Sequence, residues 1–128
     1  MNKCILDSSA LLALFNSEKG WEKVEELLLL SIMSTVNIAE VVAELDKKLA
    51  VSSIQSKEMI IAAINKIVPL DFDQSIEVGR LRKETKNFGL SLGDRACIAL
   101  GLTTGYTIYT ADKVWVNLPL NCNIVLIR

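Results

Sequence analysis

Lys3-Cys4-Ile5-Leu6-Asp7-Ser8-Ser9-Ala10-Leu11-Leu12-Ala13-Leu14-Phe15 decides the fold. Lys3 to Leu6 reads as a short strand and Ala10 to Phe15 as a short apolar helix, with an acid at the junction. The same alternation runs outward from this stretch. Asn16-Ser17 and Gly20 punctuate the first helix, Trp21, Val24, Leu27 and Leu28 make a second helical stripe, and Ile32-Met33-Ser34 reads as a second strand. Ile38, Val41, Val42, Leu45 and Leu49 then recur at three- and four-residue steps, which puts an apolar stripe on one face of a longer helix. A helix carrying Ile54, Ile60, Ile61 and Ile64 leads to the strand Ile67-Val68-Pro69-Leu70, whose proline marks an edge or an end. A polar helix from Asp73 to about Lys86 closes at Asn87-Phe88-Gly89. Ser91 opens a helix expected to stop in the span from Gly101 to Gly105, and Tyr106 to Thr110 is a strand. Asp112 to Trp115 is a short turn or helix, and Ile124 to Ile127 is the last strand. Strands alternating with helices argue for an α/β architecture with a central, mainly parallel sheet.

Length and composition narrow the setting. A chain of 128 residues with no internal repeat, linker or low-complexity run reads as one domain over residues 1–128. Cys4, Cys97 and Cys122 are odd in number, stand in apolar surroundings and lack C-x-x-C spacing, so they read as reduced core or near-core residues. The expected setting is therefore a reducing cytoplasm. The first residues reach Asp7 too early for a signal peptide, and no apolar run approaches the ~18 residues of a membrane span. A formal net charge of −1 excludes a global basic field, so a nucleic-acid role would need a local basic patch or metal ions.

Four acids, Asp7, Glu40, Asp94 and Asp112, each stand where a strand-like run or turn hands over to a helical pattern. In a parallel sheet the carboxyl ends of the strands share one edge, so acids at successive junctions converge in space. Each acid also has a capping explanation: Asp7 as an N-cap, Glu40 three residues after Asn37, Asp94 three after Ser91, and Asp112 at a turn start. Capping accounts for each acid singly but not for the recurrence of acids at one type of junction in a chain with no histidine. Grouped carboxylates stay ionised at neutral pH when a cation neutralises them, and hard oxygen ligands favour Mg²⁺ or Mn²⁺. Glu44, one turn after Glu40, fits either a site residue or a solvated charge.

In these residues the chain resembles a PIN domain, and more closely a VapC-type toxin ribonuclease of a toxin–antitoxin pair. The stretches that carry the resemblance are Ile5-Leu6-Asp7-Ser8-Ser9-Ala10, Asn37-Ile38-Ala39-Glu40-Val41, Leu90-Ser91-Leu92-Gly93-Asp94-Arg95 and Thr110-Ala111-Asp112, in order across nearly the whole chain. Trp115 looks like the aromatic that often follows the last acid in these toxins. The resemblance implies a three-layer α/β/α fold and Mg²⁺- or Mn²⁺-dependent endonucleolytic cleavage of RNA. It makes Asp7, Glu40, Asp94 and Asp112 the acidic quartet, with Ser8 and Thr110 as supporting hydroxyls. Gly93 departs from the alanine or bulkier residue more usual at its place, a change expected only to loosen a helix start. The resemblance also implies a cognate antitoxin as partner, reaching the acidic site through a groove, and a homodimer.

The chemistry agrees with that expectation. With no histidine the chain cannot run a paired-imidazole ribonuclease mechanism, whereas a carboxylate-held metal ion can acidify its bound water and neutralise phosphate oxygens. Arg80, Arg82, Lys83, Lys86 and Arg95 are the cationic candidates for RNA, Arg95 because it adjoins Asp94; a solvated helical face is the plainer reading of the first four. Leu27 to Leu30 exceeds what one helix face can bury, and an apolar surplus, in a chain 51% apolar, is one way a partner surface is made. The competing reading is a non-catalytic, Mg²⁺-binding signalling module of receiver type. That module wants paired acids after the first strand and a lysine late in the chain, and here Ser8-Ser9 follow Asp7.

Overall fold

Five strands lie side by side in the order β3-β2-β1-β4-β5, every neighbouring pair parallel. They are β1 (Cys4–Leu6), β2 (Ser31–Ser34), β3 (Lys66–Val68), β4 (Thr107–Thr110) and β5 (Ile124–Leu126) in the computed structural model, which describes residues 2–128. The helices are α1 (Ser8–Phe15), α2 (Trp21–Leu27), α3 (Thr35–Leu49), α4 (Ser53–Ala63), α5 (Phe72–Glu84) and α6 (Leu92–Thr104).

The layers follow from strand alternation. Ile5, Ile32 and Ile108 face a core built with Val78 and Leu81 of α5 and Ala96, Cys97 and Leu100 of α6. Leu6 and Met33, one residue further along their strands, face the opposite core with Leu11 of α1, Val24 of α2, Val41 and Leu45 of α3 and Ile60 of α4. Strands buried on both faces read as unbroken apolar runs, which is why Cys4-Ile5-Leu6 shows no polar alternation. The result is the three-layer α/β/α fold with a parallel sheet. Cys4 and Cys97 are buried free thiols and Cys122 a half-buried one.

Chain order places the site. From β1 the chain steps outward through β2 to β3 on one side, then returns across the sheet to β4 on the other side of β1. Beyond the carboxyl ends of β1 and β4 such a reversal leaves a crevice, the usual place for a ligand in an open parallel sheet. Asp7 follows β1 and Asp112 follows β4 by one residue beyond Ala111. This strand order differs from the 2-1-3-4-5 order of receiver-type folds, which removes the signalling-module reading.

Several local expectations change. Ser34, not Asn37, caps α3, its hydroxyl accepting from the Val36 amide at 3.3 Å, so Asn37 and Glu40 form no capping box. Asp71 caps α5 through the Gln74 amide, and the helix begins at Phe72. Helix α6 runs through Gly101 and ends at Gly105, whose φ of 75° is the left-handed turn glycine favours. Gly101 lies against the side chain of Ile108, and a Cβ there would overlap it, so this glycine lets α6 close on the sheet. Of the stripe residues, Leu49, Ile54 and Ile61 are exposed, and of the four leucines only Leu29 is widely so, at 87%. Among the described residues no helix is long and apolar enough to cross a membrane.

Candidate active site

Asp7, Glu40, Asp94 and Asp112 line one open hollow of about 410 Å³ at the carboxyl edge of the sheet, together with Glu44 and no basic side chain. Four separate segments deliver the four acids. Asp7 is the N-cap of α1, Glu40 projects from α3, Asp94 sits in the first turn of α6, and Asp112 caps the 3₁₀ turn Lys113–Asn117.

Asp7 is the deepest, 4% exposed, and the most tightly held. Its Oδ1 accepts from the Ala10 amide at 2.8 Å and its Oδ2 from the Thr110 hydroxyl at 2.6 Å. The Ser9 hydroxyl lies 2.7 and 2.9 Å from the two oxygens and donates to the carboxylate. Ser9 in turn accepts from the Ala111 amide at 2.9 Å, and Thr110 Oγ1 from the Asp112 amide at 3.0 Å. These bonds tie the end of β4 to the start of α1. Burial nevertheless pushes the Asp7 carboxyl up to about 6; the donors from Thr110, Ala10 and Ser9 oppose the rise, and the nearby charge of Asp94 adds to it.

Glu40 is held by a different set. The Ser8 hydroxyl donates to its Oε1 at 2.5 Å and Asn37 Nδ2 at 3.0 Å. The second Nδ2 hydrogen of Asn37 goes to the Gly93 carbonyl at 2.9 Å, so one buried amide joins α3 to α6 and orients Glu40. Gly93 itself lies against the Glu40 carboxylate. A Cβ at Gly93 would overlap all three atoms of that carboxyl group, so the glycine makes the room Glu40 occupies rather than merely loosening a helix start.

Asp94 shares a reciprocal capping box with Ser91: the Ser91 amide donates to Asp94 Oδ2 at 3.0 Å and the Asp94 amide to Ser91 Oγ at 3.1 Å. Its carboxyl is also raised, chiefly by burial, with the charges of Glu40 and Asp112 adding to the effect. Asp112 is exposed and accepts from the Val114 amide at 3.0 Å. Capping and site thus coexist in three of the four acids. Glu44 pairs with Lys48 at 3.2 Å, which supplies the cation its spacing from Glu40 called for. Among the described residues no three acids are gathered tightly enough to enclose an ion as the side chains stand.

The cationic candidates divide. Arg80 is engaged by Glu77 and Glu84 on its own helix. Arg95 turns from the hollow toward α5, where its Nη1 donates to the Val78 carbonyl at 2.9 Å. Arg82, Lys83 and Lys86 line a separate groove. Ser9, Asn37 and Gly93 were not legible as site residues from the sequence. The doubled serine after Asp7 and the Asn-x-x-Glu spacing were the signals available for the first two. Trp115 is 1% exposed and belongs to the core rather than to the hollow.

A junction-borne acidic hollow on a five-stranded parallel α/β/α scaffold defines a class, and the sequence falls in it: residues 4–119 match the PIN domain model, and the chain belongs to that family. Among solved structures it is similar to the DNA-bound VapBC of Salmonella typhimurium, with 18% identity, a TM-score of 0.75 and full coverage of both chains. A toxin–antitoxin complex from Klebsiella pneumoniae gives 19% identity and a TM-score of 0.75 over 98% of each chain. VapC20 of Mycobacterium tuberculosis, a toxin that cleaves the sarcin–ricin loop, gives 12% identity and a TM-score of 0.79 over 92% of this chain and 96% of its own. No curated protein matches the chain in sequence at a significant level.

Proposed function

We propose that the protein is a metal-dependent endoribonuclease, the toxin of a toxin–antitoxin pair, hydrolysing RNA phosphodiester bonds at the hollow lined by Asp7, Glu40, Asp94 and Asp112. The observation that carries this reading is the convergence of four carboxylates from four segments on one hollow that no basic side chain lines. The similarity to VapBC complexes and to a toxin that cleaves the sarcin–ricin loop supports RNA as substrate and an antitoxin as partner. A homodimer is the proposed assembly, on the family resemblance.

The donor set suits Mg²⁺ or Mn²⁺. All four side chains offer hard oxygens, and a divalent cation would offset both the burial that chiefly raises Asp7 and Asp94 and the smaller repulsion from their acidic neighbours. When bound, such an ion supplies charge neutralisation at the phosphate and an acidified water. The protein's part is positioning. Asp7, fixed by three donors, is the rigid anchor. Glu40 and Asp94 are each oriented by hydrogen bonds from their own segments and would complete the ligand set, while Asp112, exposed at the rim, would serve as a ligand or orient water.

The test is cleavage of a mixed cellular RNA pool by purified protein, wild type beside Asp94→Asn, with Mg²⁺, with Mn²⁺ and with EDTA. Discrete fragments that require both metal and Asp94 are expected. Cleavage by Asp94→Asn equal to wild type would refute the assignment of the site.

A further inference from the structure

Three of the cations in this region surround one groove. Arg82 and Lys83 near the end of α5, and Lys86 in the 3₁₀ turn that follows, line a hollow of about 570 Å³ whose other walls include Gly79, Gly89 and Leu90. No acid lines it. Among the described residues these three cations form no ion pair, whereas Arg80, on the same helix, is neutralised by Glu77 and Glu84. The positive charge is therefore concentrated on one side of α5.

The groove floor is open for a reason the fold does not supply. Gly79 lies inside α5, where glycine is unfavourable, and a Cβ there would meet nothing within 4 Å. Packing does not demand this glycine. Its missing side chain leaves that part of the groove wall open.

One wall of the groove is joined through the chain to the acidic hollow. Its Leu90 wall continues directly into Ser91, which caps α6 and holds Asp94. Four residues of chain reach at most about 14 Å, so the Leu90 wall of the groove lies no farther than that from the Asp94 backbone. We infer that Arg82, Lys83 and Lys86 form the docking groove for the phosphodiester backbone of a single-stranded RNA, which leads the strand to the acidic hollow. The inference rests on the ribonuclease reading. Charge alone draws the backbone, so the groove contributes affinity and register and no base selection.

The experiment measures binding of a fluorescein-labelled oligouridine by anisotropy in EDTA, where cleavage plays no part, across about 50 to 200 mM salt. For single strands each phosphate contact contributes about 0.7 to the slope of log affinity against log salt. The triple variant Arg82→Gln, Lys83→Gln, Lys86→Gln is expected to flatten that slope by about 2 and to weaken binding at low salt at least about tenfold. Arg80→Gln should leave the slope unchanged, and Gly79→Gln, a better helix former that fills the floor, should weaken binding while the thermal midpoint holds or rises. Equal slope and affinity in the triple variant and wild type overturn the groove, whatever the protein cleaves. Binding lost in the triple variant from a wild type that cuts no RNA leaves the groove standing and refutes the ribonuclease reading. A polyglutamate peptide bound as tightly as RNA, and lost in the same variant, overturns the assignment to nucleic acid.

Discussion

Replacing Gly93 by alanine tests whether the acidic hollow is built as its geometry indicates. The new Cβ would occupy the place of the Glu40 carboxyl group, and because that group ends a flexible side chain, Glu40 swings away while the backbone holds. Two bonds onto Glu40 are then lost, from Ser8 and from Asn37; the second bond of Asn37, to the Gly93 carbonyl, survives. A hydrogen bond onto a charged group contributes about 1.5 to 3 kcal/mol, toward the low end where the acceptor is half-buried. Alanine returns about 1 kcal/mol in helix propensity. The net loss is about 2 kcal/mol, a thermal midpoint lower by roughly 7 °C for a chain of this length. The larger effect is functional, since misplacing one oriented ligand should cost about 10–100-fold in Mn²⁺ affinity, read by calorimetric titration, and a comparable factor in cleavage. Adding Glu40→Asp, one methylene shorter, should relieve the overlap and restore stability. An alanine variant that binds Mn²⁺ and cleaves RNA as wild type does would refute the reasoning.

Other perturbations follow from the same network. Asp7 releases its proton near pH 6 when folded against about 3.9 when unfolded, so in EDTA the folded chain binds more protons between these values. Its stabilising contribution is full below about pH 4 and is lost as pH rises through about 6, up to about 3 kcal/mol; urea unfolding across that range should show the decline, and an Asp7→Asn variant with an unchanged pH dependence would contradict it. Asn37→Asp turns acceptor oxygens toward the Gly93 carbonyl and Glu40, so it should destabilise by about 3–5 kcal/mol at pH 7, more than Asn37→Ala in the same denaturation assay. Thr110→Val removes the hydroxyl that donates to Asp7 and accepts from the Asp112 amide. A cost of about 1–3 kcal/mol is expected, with an Asp7 carboxyl higher still by carbon-detected NMR titration.

Much of the scaffold was readable because it depends on local pattern. The runs around Ile5, Ile32 and Ile108 became strands, the stripe of Val41 and Leu45 became a buried helix face, and Ser91 with Asp94 closed the capping box its spacing implied. Misreadings arose where tertiary contacts outweighed local chemistry. Asn37 had the spacing of a cap, yet Ser34 lies nearer the strand end and takes that role, which frees Asn37 to reach α6. The stop expected between Gly101 and Gly105 falls at Gly105, while Gly101 stays inside α6 and lies close against Ile108, a contact the sequence does not show.

The sequence by itself determined that strands alternate with helices and that acids stand at four of their junctions, because periodicity and junction placement are properties of neighbouring residues. Which residues hold those acids was decided only by the tertiary structure. The order β3-β2-β1-β4-β5 brings Thr110 against Asp7 across 103 residues and Gly93 under Glu40 across 53. Contacts over such separations depend on how strands register and helices dock, and no spacing along the chain encodes them directly.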